Sequence, residues 1–332
     1  MSATNGAGPL VEVTDLKVYF PIKSGIVLDR HVGDIKAVDE VSLTIERGET
    51  LGLVGESGCG KSTTGRCILR LVEPTSGQVT FRGEDLLHKR PGELRALRRH
   101  LQIVFQDPYS SLHPRRRVRD IIAEPMIVQG MSNRAALAEV PRLMETVHLD
   151  PARAGRYPHE FSGGQRQRVG IARAIALDPR LVVCDEPVSA LDVSIQAQVL
   201  NLLEDIQDRL GLAYLFIAHD LSVVRHIADR VCVMYLGAIV EEAATDDVFE
   251  SPSHPYTQAL ISAVPIPDPD REANKPRVTL TSELPSPFEL PSGCLFRTRC
   301  PKATALCGDV APPEDSVSAA HSVVCHHWRN SA

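Results

Sequence analysis

One eight-residue segment combines glycine, lysine and serine at a spacing that suits phosphate binding. The pattern G-x-x-x-x-G-K-[S/T] is met by the phosphate loop, Gly55-Glu56-Ser57-Gly58-Cys59-Gly60-Lys61-Ser62. Glycines let backbone N–H groups close around phosphate oxygens, the lysine reaches the β- and γ-phosphates, and the serine hydroxyl is a ligand for Mg²⁺. The segment predicts a site for the phosphates of a nucleoside triphosphate. The alternative is a glycine-rich turn that binds nothing.

A pair of carboxylates follows an apolar run later in the chain. Asp185 and Glu186 come directly after residues 181–184, which have the composition of a buried strand. A carboxylate at a strand end can ligate Mg²⁺, and its neighbour can orient or deprotonate an attacking water. We assign the first role to Asp185 and the second to Glu186. Acidic residues at a strand end also form turns and helix caps, so the pair alone leaves both interpretations open.

A phosphate site of this kind needs a strand before it and a helix after it. Residues 50–54 are predicted as a buried strand that runs directly into Gly55. A helix is predicted after Ser62, ending near the turn Pro74-Thr75-Ser76-Gly77. The predicted context is therefore the one that the motif requires.

The remaining residues divide into regions of different pattern. Further strands are predicted at 11–20, 41–45, 181–184, 212–218 and 231–235. Helices are predicted over 108–160, where Pro141 favours a kink or a late helix start, and along the apolar stripe that ends at Leu210. Strands that alternate with helices favour an α/β fold with a mainly parallel, doubly wound sheet. The proline-rich residues 252–301 are interpreted as an extended linker to a small terminal module.

Composition and charge exclude several classes of protein. The 332 residues are 43% hydrophobic and 23% charged, which is typical of a packed globular protein. No apolar run approaches the roughly 18 residues of a membrane span, and the first ten residues lack a secretory pattern, so we expect neither a span nor an export signal. The net charge of −6 gives no reason to expect nucleic acid as a partner. The basic run Arg115-Arg116-Arg117-Val118-Arg119 is interpreted as a solvated helix face.

Four of the eight cysteines are clustered near the C-terminus. They are Cys294, Cys300, Cys307 and Cys325, with the spacing C-x₅-C-x₆-C-x₁₇-C. Structural zinc sites use closer pairs, so this spacing favours an iron–sulfur cluster, with zinc or free thiols as the alternatives. Three nearby histidines are interpreted as neighbours of the ligands, with direct ligation as the alternative: His321, His326 and His327.

Six motifs in a fixed order carry a family resemblance. One segment resembles the signature sequence of ABC-type ATPases; it is Phe161-Ser162-Gly163-Gly164-Gln165-Arg166-Gln167-Arg168. The phosphate loop and the Asp185-Glu186 strand have their family counterparts. Gln106 resembles the Q-loop glutamine, Asp192 the D-loop aspartate and His219 the switch histidine. The aromatic residue that stacks on adenine is matched by Phe20, which the spacing favours, or by Tyr19.

The resemblance implies a fold for about residues 11–250. The expected P-loop ABC ATPase domain has a mainly parallel sheet core, an antiparallel β subdomain and a helical subdomain at about 108–165. Phe161 is a departure from the family pattern, because leucine is commoner at that position.

The resemblance also implies a role for each motif residue. ATP is held by Phe20 or Tyr19 and by Gly55, Glu56, Ser57, Gly58, Cys59, Gly60, Lys61, Ser62 and Thr63. Mg²⁺ is ligated by Ser62, Gln106 and Asp185, and hydrolysis uses Glu186, His219 and Gln106. ABC ATPase domains pair head to tail, so the ATP held by the partner is contacted by Ser162, Gly163, Gly164 and Gln165.

Longer segments resemble the ATP-binding subunit of oligopeptide/dipeptide importers. They are residues 105–112, 184–198, 254–257 and the cysteine region 293–326. This resemblance implies a small C-terminal metal-binding extension at 251–332, with a [4Fe–4S] cluster on the four clustered cysteines. It also implies ATP-driven import of oligopeptides or dipeptides. The implied partners are a second, related ABC ATPase in a heterodimer, two transmembrane permease subunits and, indirectly, an extracytoplasmic solute-binding protein. The implied location is peripheral, on the cytoplasmic face of the cell membrane.

Two alternative functions remain open from the sequence. One is import of another solute by the same subfamily, such as nickel, glutathione or an oligosaccharide. The other is a soluble ABC ATPase that acts on nucleic acid or the ribosome. The second is disfavoured because the chain has one phosphate loop, one signature segment and no long heptad run.

Overall fold

The computed structural model describes residues 8–24, 30–107, 109–265, 285–286 and 288–330. Its strands are β1 (Val11–Ser24), β2 (Arg30–Ile45), β3 (Thr50–Val54), β4 (Ser76–Phe81), β5 (Glu84–Asp85), β6 (Leu101–Val104), β7 (Leu181–Asp185), β8 (Ala213–Ala218), β9 (Arg230–Tyr235), β10 (Ala238–Ala244), β11 (Glu314–Ser318) and β12 (His321–Val324). Its α-helices are α1 (Lys61–Ile68), α2 (Pro91–Leu97), α3 (Val118–Val128), α4 (Asn133–Thr146), α5 (Gly163–Ile175), α6 (Val193–Leu210), α7 (Leu221–Ile227), α8 (Thr245–Glu250), α9 (Pro255–Ala263) and α10 (Ala305–Asp309).

The described chain forms two compact units, each built from separate segments. The first unit contains the described residues up to Leu10, together with Ile45–Thr50 and His88–Ile217. The second contains Val11–Thr44, Leu51–Leu87 and the described residues from Ala218 onward. Among the described helices, none has both the length and the apolar character that a membrane span requires.

The first unit has a parallel sheet of β6, β7 and β8. Val104 pairs with Cys184 between β6 and β7, and Asp185 pairs with Ile217 between β7 and β8. Every residue of β7 is buried, which is why this strand is almost continuously apolar in sequence. The carboxyl ends of the parallel strands lie along one edge, so residues that follow β6 and β7 are brought close together.

Helices α3, α4 and α5 pack against one another in the same unit. Helix α4 begins at Asn133, where the Ser132 hydroxyl accepts a hydrogen bond from the N–H of Ala135. Pro141 lies inside this helix, eight residues after its start, so the expectation of a late start at Pro141 is wrong. The buried side chains on the inner face of α4 stabilise the helix despite the hydrogen bond that proline removes.

The second unit contains two sheets. One is a four-stranded sheet in the order β2-β1-β4-β5, in which β4 pairs antiparallel with β1 and β5. In the other, β3 pairs parallel with β9, and β10, β12 and β11 extend from β9 in antiparallel order. Strands β11 and β12 belong to the C-terminal extension, and β12 pairs with β10 through Glu241 and Val323.

Two predictions about local structure in this unit are wrong. Helix α1 ends at Ile68 with Leu69 as its C-cap, and Ser76–Phe81 forms β4. Residues 252–301 are not simply an extended linker, because Pro255–Ala263 forms α9 and buries Tyr256 completely. The proline-rich stretch at 266–284 lies outside the described residues. Burial of the apolar face of α9 outweighs the high proline content around it.

Candidate nucleotide-binding and hydrolysis site

The phosphate loop connects β3 to α1 in the second unit, and its glycines are required by close backbone approaches. Gly55 has a φ of +153° and Gly60 a φ of +108°. A Cβ atom at Gly55 would lie 2.2 Å from the carbonyl oxygen of Met234, and one at Gly60 would lie 2.1 Å from that of Ala37. Any side chain at either position would displace backbone, which explains glycine at the two ends of the motif.

Lys61 is buried at the start of α1 and bonded to the loop itself. Its Nζ donates to the carbonyl oxygens of Gly55 at 2.7 Å and Glu56 at 2.9 Å. Ser62 and Thr63 follow in the first turn and are half-buried. The helix start has no side-chain cap, because Gly60 occupies the N-cap position. A cationic amine and a helix N-terminus without a side-chain cap suit the phosphates of a nucleotide.

Glu56, the second residue of the loop, is fixed by contacts that sequence reasoning missed. Its carboxylate accepts two hydrogen bonds from the Arg299 guanidinium, at 2.6 and 2.9 Å. Its backbone N–H donates to the hydroxyl of Tyr256 at 2.9 Å. Arg299 and Tyr256 are 243 and 200 residues away in sequence. The segment His-Pro-Tyr-Thr at 254–257 is part of the family resemblance seen in the sequence, but its contact with the loop is not visible there.

In the first unit, the structure brings Gln106 and Glu186 together. The Gln106 Nε2 donates to the Glu186 Oε2 at 2.8 Å. Glu186 has a left-handed backbone, with a φ of +47°, and its N–H donates to the carbonyl of Ile217 at 3.0 Å. This φ is uncommon for a residue other than glycine, and such backbone strain is concentrated at functional sites. Asp185, one residue earlier, is almost completely buried.

The signature segment begins helix α5 in the same unit. Ser162 is the N-cap, and its hydroxyl accepts from the N–H of Gln165 while the Gln165 side chain accepts from the N–H of Ser162. A Cβ atom at Gly164 would lie 2.4 Å from Ile195 Cγ2, which explains glycine there. Phe161 is buried, with the Arg153 guanidinium 4.4 Å from its ring centroid. The exposed helix start is a suitable anion site, consistent with the role that the family resemblance implies.

Tyr19 and Phe20 point to opposite faces of β1, so they have different environments. The Tyr19 hydroxyl donates to Asp39, and the Lys36 ammonium lies 5.2 Å from its ring centroid. Burial and the Asp39 hydrogen bond raise the pKa of Tyr19 to about 12. Phe20 is 41% exposed. An exposed ring is available to stack on a base, whereas the Tyr19 hydroxyl already has a protein partner.

His219 and Asp192 are both exposed and lie at helix starts. Asp192 is the N-cap residue of α6 in the first unit. His219, in the second unit, lies directly before Asp220, whose carboxylate caps α7 by accepting from the N–H of Ser222 at 2.8 Å. The predicted roles of the two side chains remain predictions.

The four clustered cysteines lie near one another in the second unit. Burial, together with the charges of the other three cysteines, raises the pKa of the Cys294 thiol to about 11. Burial also raises the pKa values of Cys300 and Cys325, with Cys307 acting on both. All four are free cysteines. Among the described residues, however, no group of three or more His, Cys, Asp or Glu side chains is arranged to hold a metal ion.

Backbone N–H groups point at three of these sulfurs. The donors are Phe296 for Cys294, Lys302 for Cys300 and His327 for Cys325, in each case two residues after the cysteine. The histidines near the cluster have partners other than a metal. His321 Nε2 bonds Glu241 at 2.8 Å, His326 bonds the carbonyl of Val310, and His327 bonds the hydroxyl of Thr304.

Comparison with known families and structures places this site in context. Residues 38–189 match the "ABC transporter" family model, and residues 240–307 match the model "Oligopeptide/dipeptide transporter, C-terminal region". The chain is also similar to a solved dimer of the ATP-binding cassette MJ0796 in a post-hydrolysis state bound to ADP and Pi. That match has a TM-score of 0.63 and 27% identity, and covers 71% of this chain and 98% of the other. Fold and motifs together define an ABC-type ATPase.

Two relatives match the chain over nearly its whole length. The oligopeptide transport ATP-binding protein AppF of Bacillus subtilis is 53% identical over 319 residues, which are 96% of this chain and 97% of the relative. The oligopeptide transport ATP-binding protein OppF of Escherichia coli is 54% identical over 327 residues, which are 98% of each. The chain therefore belongs to the family of ATP-binding subunits of ABC-type oligopeptide transporters.

Proposed function

We propose that this chain is the subunit whose ATP binding and hydrolysis drive import of oligopeptides or dipeptides through an ABC transporter. The observation that carries the proposal is the match of nearly the whole chain to oligopeptide transport ATP-binding proteins at 53 and 54% identity. The match to the oligopeptide/dipeptide C-terminal model at residues 240–307 supports the same solute class. The contact between Gln106 and Glu186 supports a chain that hydrolyses ATP rather than only binding it.

The residues of the phosphate site have separate tasks in this proposal. Lys61 exchanges its carbonyl partners for the β- and γ-phosphates, so its buried charge remains compensated. Mg²⁺, with Ser62, Gln106 and Asp185 as its proposed ligands, supplies charge neutralisation at the transferred phosphate. Glu186 accepts a proton from the attacking water, and Gln106 orients the Glu186 carboxylate by hydrogen bonding. His219 contacts the γ-phosphate.

We further propose that the chain works as one half of a head-to-tail pair with a second, related ATPase. In that pair, Ser162, Gly163, Gly164 and Gln165 bind the γ-phosphate of ATP held by the partner, with Asp192 nearby. The capped, exposed start of α5 supports this role, because its amides and dipole favour an anion. Since these contacts need the γ-phosphate, hydrolysis removes them and the pair opens.

The pair would act on the cytoplasmic face of the membrane, bound to two permease subunits that are supplied in turn by a solute-binding protein. The relatives AppF and OppF support this arrangement, because both are named as ATP-binding proteins of oligopeptide transport. We assign the ATPase domain to residues 11–250, with a helical part at about 108–165, and the C-terminal extension to residues 251–332.

We also propose that Cys294, Cys300, Cys307 and Cys325 hold a [4Fe–4S] cluster, with zinc as the alternative. Four cysteine sulfurs are the ligand type that a [4Fe–4S] cluster uses. The four lie close enough for the charge of one to shift the pKa of another. The N–H groups directed at three of the sulfurs would stabilise thiolates, as they do around metal centres. The turns that carry the cysteines would have to move on metal binding, because among the described residues no three such side chains are arranged to hold a metal ion.

Affinity purification from membranes tests the transport assignment. A tagged chain extracted in mild detergent is expected to bring down two permeases and a second ATPase of the same family. The control is the same extraction with an untagged chain. Recovery of ribosomal proteins or nucleic acid in place of the permeases would contradict the proposal.

A further inference from the structure

The C-terminal extension contacts Glu56 of the phosphate loop. Arg299 lies between Cys294 and Cys300 in sequence and is 6% exposed. Its two terminal nitrogens bond the two carboxylate oxygens of Glu56, so the ion pair is bidentate. The bidentate pair fixes both the position and the orientation of the carboxylate. Nothing in the assigned roles of the loop residues uses this carboxylate.

The C-terminal extension holds Glu56 at two polar groups. Arg299 bonds the side-chain carboxylate, and the Tyr256 hydroxyl accepts a hydrogen bond from the backbone N–H. The loop around it is rich in glycine, and Gly55 and Gly58 have φ values of +153° and +80°. A glycine-rich backbone has many accessible conformations, so it needs anchors to keep one of them. Glu56 provides such an anchor.

Arg299 follows a turn that is packed against a buried aromatic cluster. Phe296, three residues earlier, is 1% exposed and packs edge-on against Tyr235 with ring centroids 5.2 Å apart. Its ring also lies 5.4 Å from that of Tyr256. The N–H of Arg299 donates to the carbonyl of Phe296 at 3.0 Å, which closes the turn between them. The guanidinium is therefore fixed relative to the aromatic cluster that also presents the Tyr256 hydroxyl.

We propose that Arg299 is a positioning residue for nucleotide binding, which holds the phosphate loop in its binding conformation through Glu56. The proposal rests on the proposed function of the loop as the ATP site. A loop that loses this anchor spends only part of its time in the competent conformation, and the apparent affinity for nucleotide falls by that fraction. We expect chemistry after binding to be unaffected, because Glu56, the bidentate partner of Arg299, is not among the residues proposed to carry out hydrolysis.

Substitution of Arg299 in the full-length protein tests the proposal by nucleotide titration and steady-state hydrolysis. Arg299→Gln is expected to raise the Kd and KM for Mg-ATP about tenfold while kcat changes by less than about twofold. Arg299→Lys is expected to give an intermediate Kd, since an ammonium cannot form both bonds in the same geometry. The matched control is Arg297→Gln in the same turn, because the Arg297 guanidinium bonds Ser292 within the extension itself. A change in melting temperature without a change in Kd would overturn the proposal.

A double variant tests whether Arg299 acts through Glu56. If it does, the single variant Glu56→Gln and the double variant Glu56→Gln/Arg299→Gln have the same Kd for Mg-ATP. A double variant whose increase in Kd equals the product of the two single increases would overturn this route. The Glu56→Gln and Arg299→Lys variants decide the question if Arg299→Gln does not fold. Failure of the wild-type protein to bind Mg-ATP would overturn the proposed function and this role together. Wild-type binding with unchanged affinity in the variants would overturn the role of Arg299 alone.

Discussion

The Gln106 side-chain amide donates a hydrogen bond from Nε2 to the Oε2 of Glu186 over 2.8 Å. The two residues are 80 positions apart, and each lies two residues beyond a register pair, Val104 with Cys184. The contact therefore follows from the parallel pairing of β6 and β7. It joins the residue proposed to ligate Mg²⁺ with the residue proposed to accept the proton.

Glu186→Gln is expected to separate this hydrogen bond from proton transfer. A glutamine still accepts from Gln106 through its amide oxygen, but it cannot act as a base. We expect hydrolysis to fall at least about 100-fold, with Mg-ATP binding retained and an ATP-bound pair that does not reopen. Phosphate release and size-exclusion chromatography measure the two effects. Gln102→Ala on β6 is the control, and turnover of the Glu186 variant near the wild-type rate would contradict the assigned role.

Phe20→Val is expected to raise the Kd for ATP about tenfold, because stacking of an aromatic ring on a base contributes about 1–3 kcal/mol. Tyr19→Val, on the opposite face of β1, is the matched variant and is expected to leave the Kd within about twofold. Titration with a fluorescent ATP analogue measures both. The reverse order of effects would assign the adenine contact to Tyr19.

His254 is expected to make the stability of the protein depend on pH. Burial lowers the pKa of His254 to about 4, against the opposing effect of the Glu241 charge. The unfolded chain binds this proton below about pH 6.5, whereas the folded chain does so only below about pH 4. Stability is therefore full above pH 6.5 and is lost as the pH falls towards 4, by at most about 3 kcal/mol from this group.

Urea unfolding between pH 7 and pH 4 measures the effect of His254. In the wild-type protein, the backbone N–H of Tyr256 donates a hydrogen bond to Nδ1 of His254 at 3.0 Å. His254→Asn removes the titrating group but keeps a side-chain acceptor for that N–H. We expect a smaller loss of stability with falling pH in this variant. His113→Asn, at an exposed position, is the control. Identical pH profiles for wild type and His254→Asn would contradict the assignment.

Anaerobic purification tests the proposed cluster. The protein is expected to be brown, with broad absorbance near about 400 nm and about four irons per chain. Cys300→Ser and Cys325→Ser are expected to lose iron, whereas Cys67→Ala, in α1, retains it. Colourless protein that contains zinc would overturn the iron–sulfur assignment in favour of the alternative.

Local sequence patterns predicted the strands next to the proposed site accurately. The strand expected at 50–54 is β3, and those expected at 181–184, 212–218 and 231–235 match β7, β8 and β9 within one residue at each end. These strands are almost entirely buried, so an unbroken apolar run identifies them. The α/β class followed from the same runs and their intervening helices.

Patterns failed where tertiary packing outweighed local composition. Pro255–Ala263 looked like part of a linker, yet it forms α9 because its apolar side chains have a core to enter. The late helix start expected at Pro141 is wrong for a similar reason, since the buried face of α4 offsets the cost of that proline. Neither outcome can be derived from a window of neighbouring residues.

The sequence by itself determined the chemistry of this protein. Spacing within the phosphate loop, the signature segment and the Asp185-Glu186 strand end depends on residues a few positions apart, and short-range order reveals it. Only the tertiary structure decided what holds that chemistry in place. The bond between Arg299 and Glu56 joins residues 243 positions apart, and it exists because the aromatic cluster around Phe296 brings them together. Contacts of that range depend on the packing of the whole unit, which no local pattern encodes.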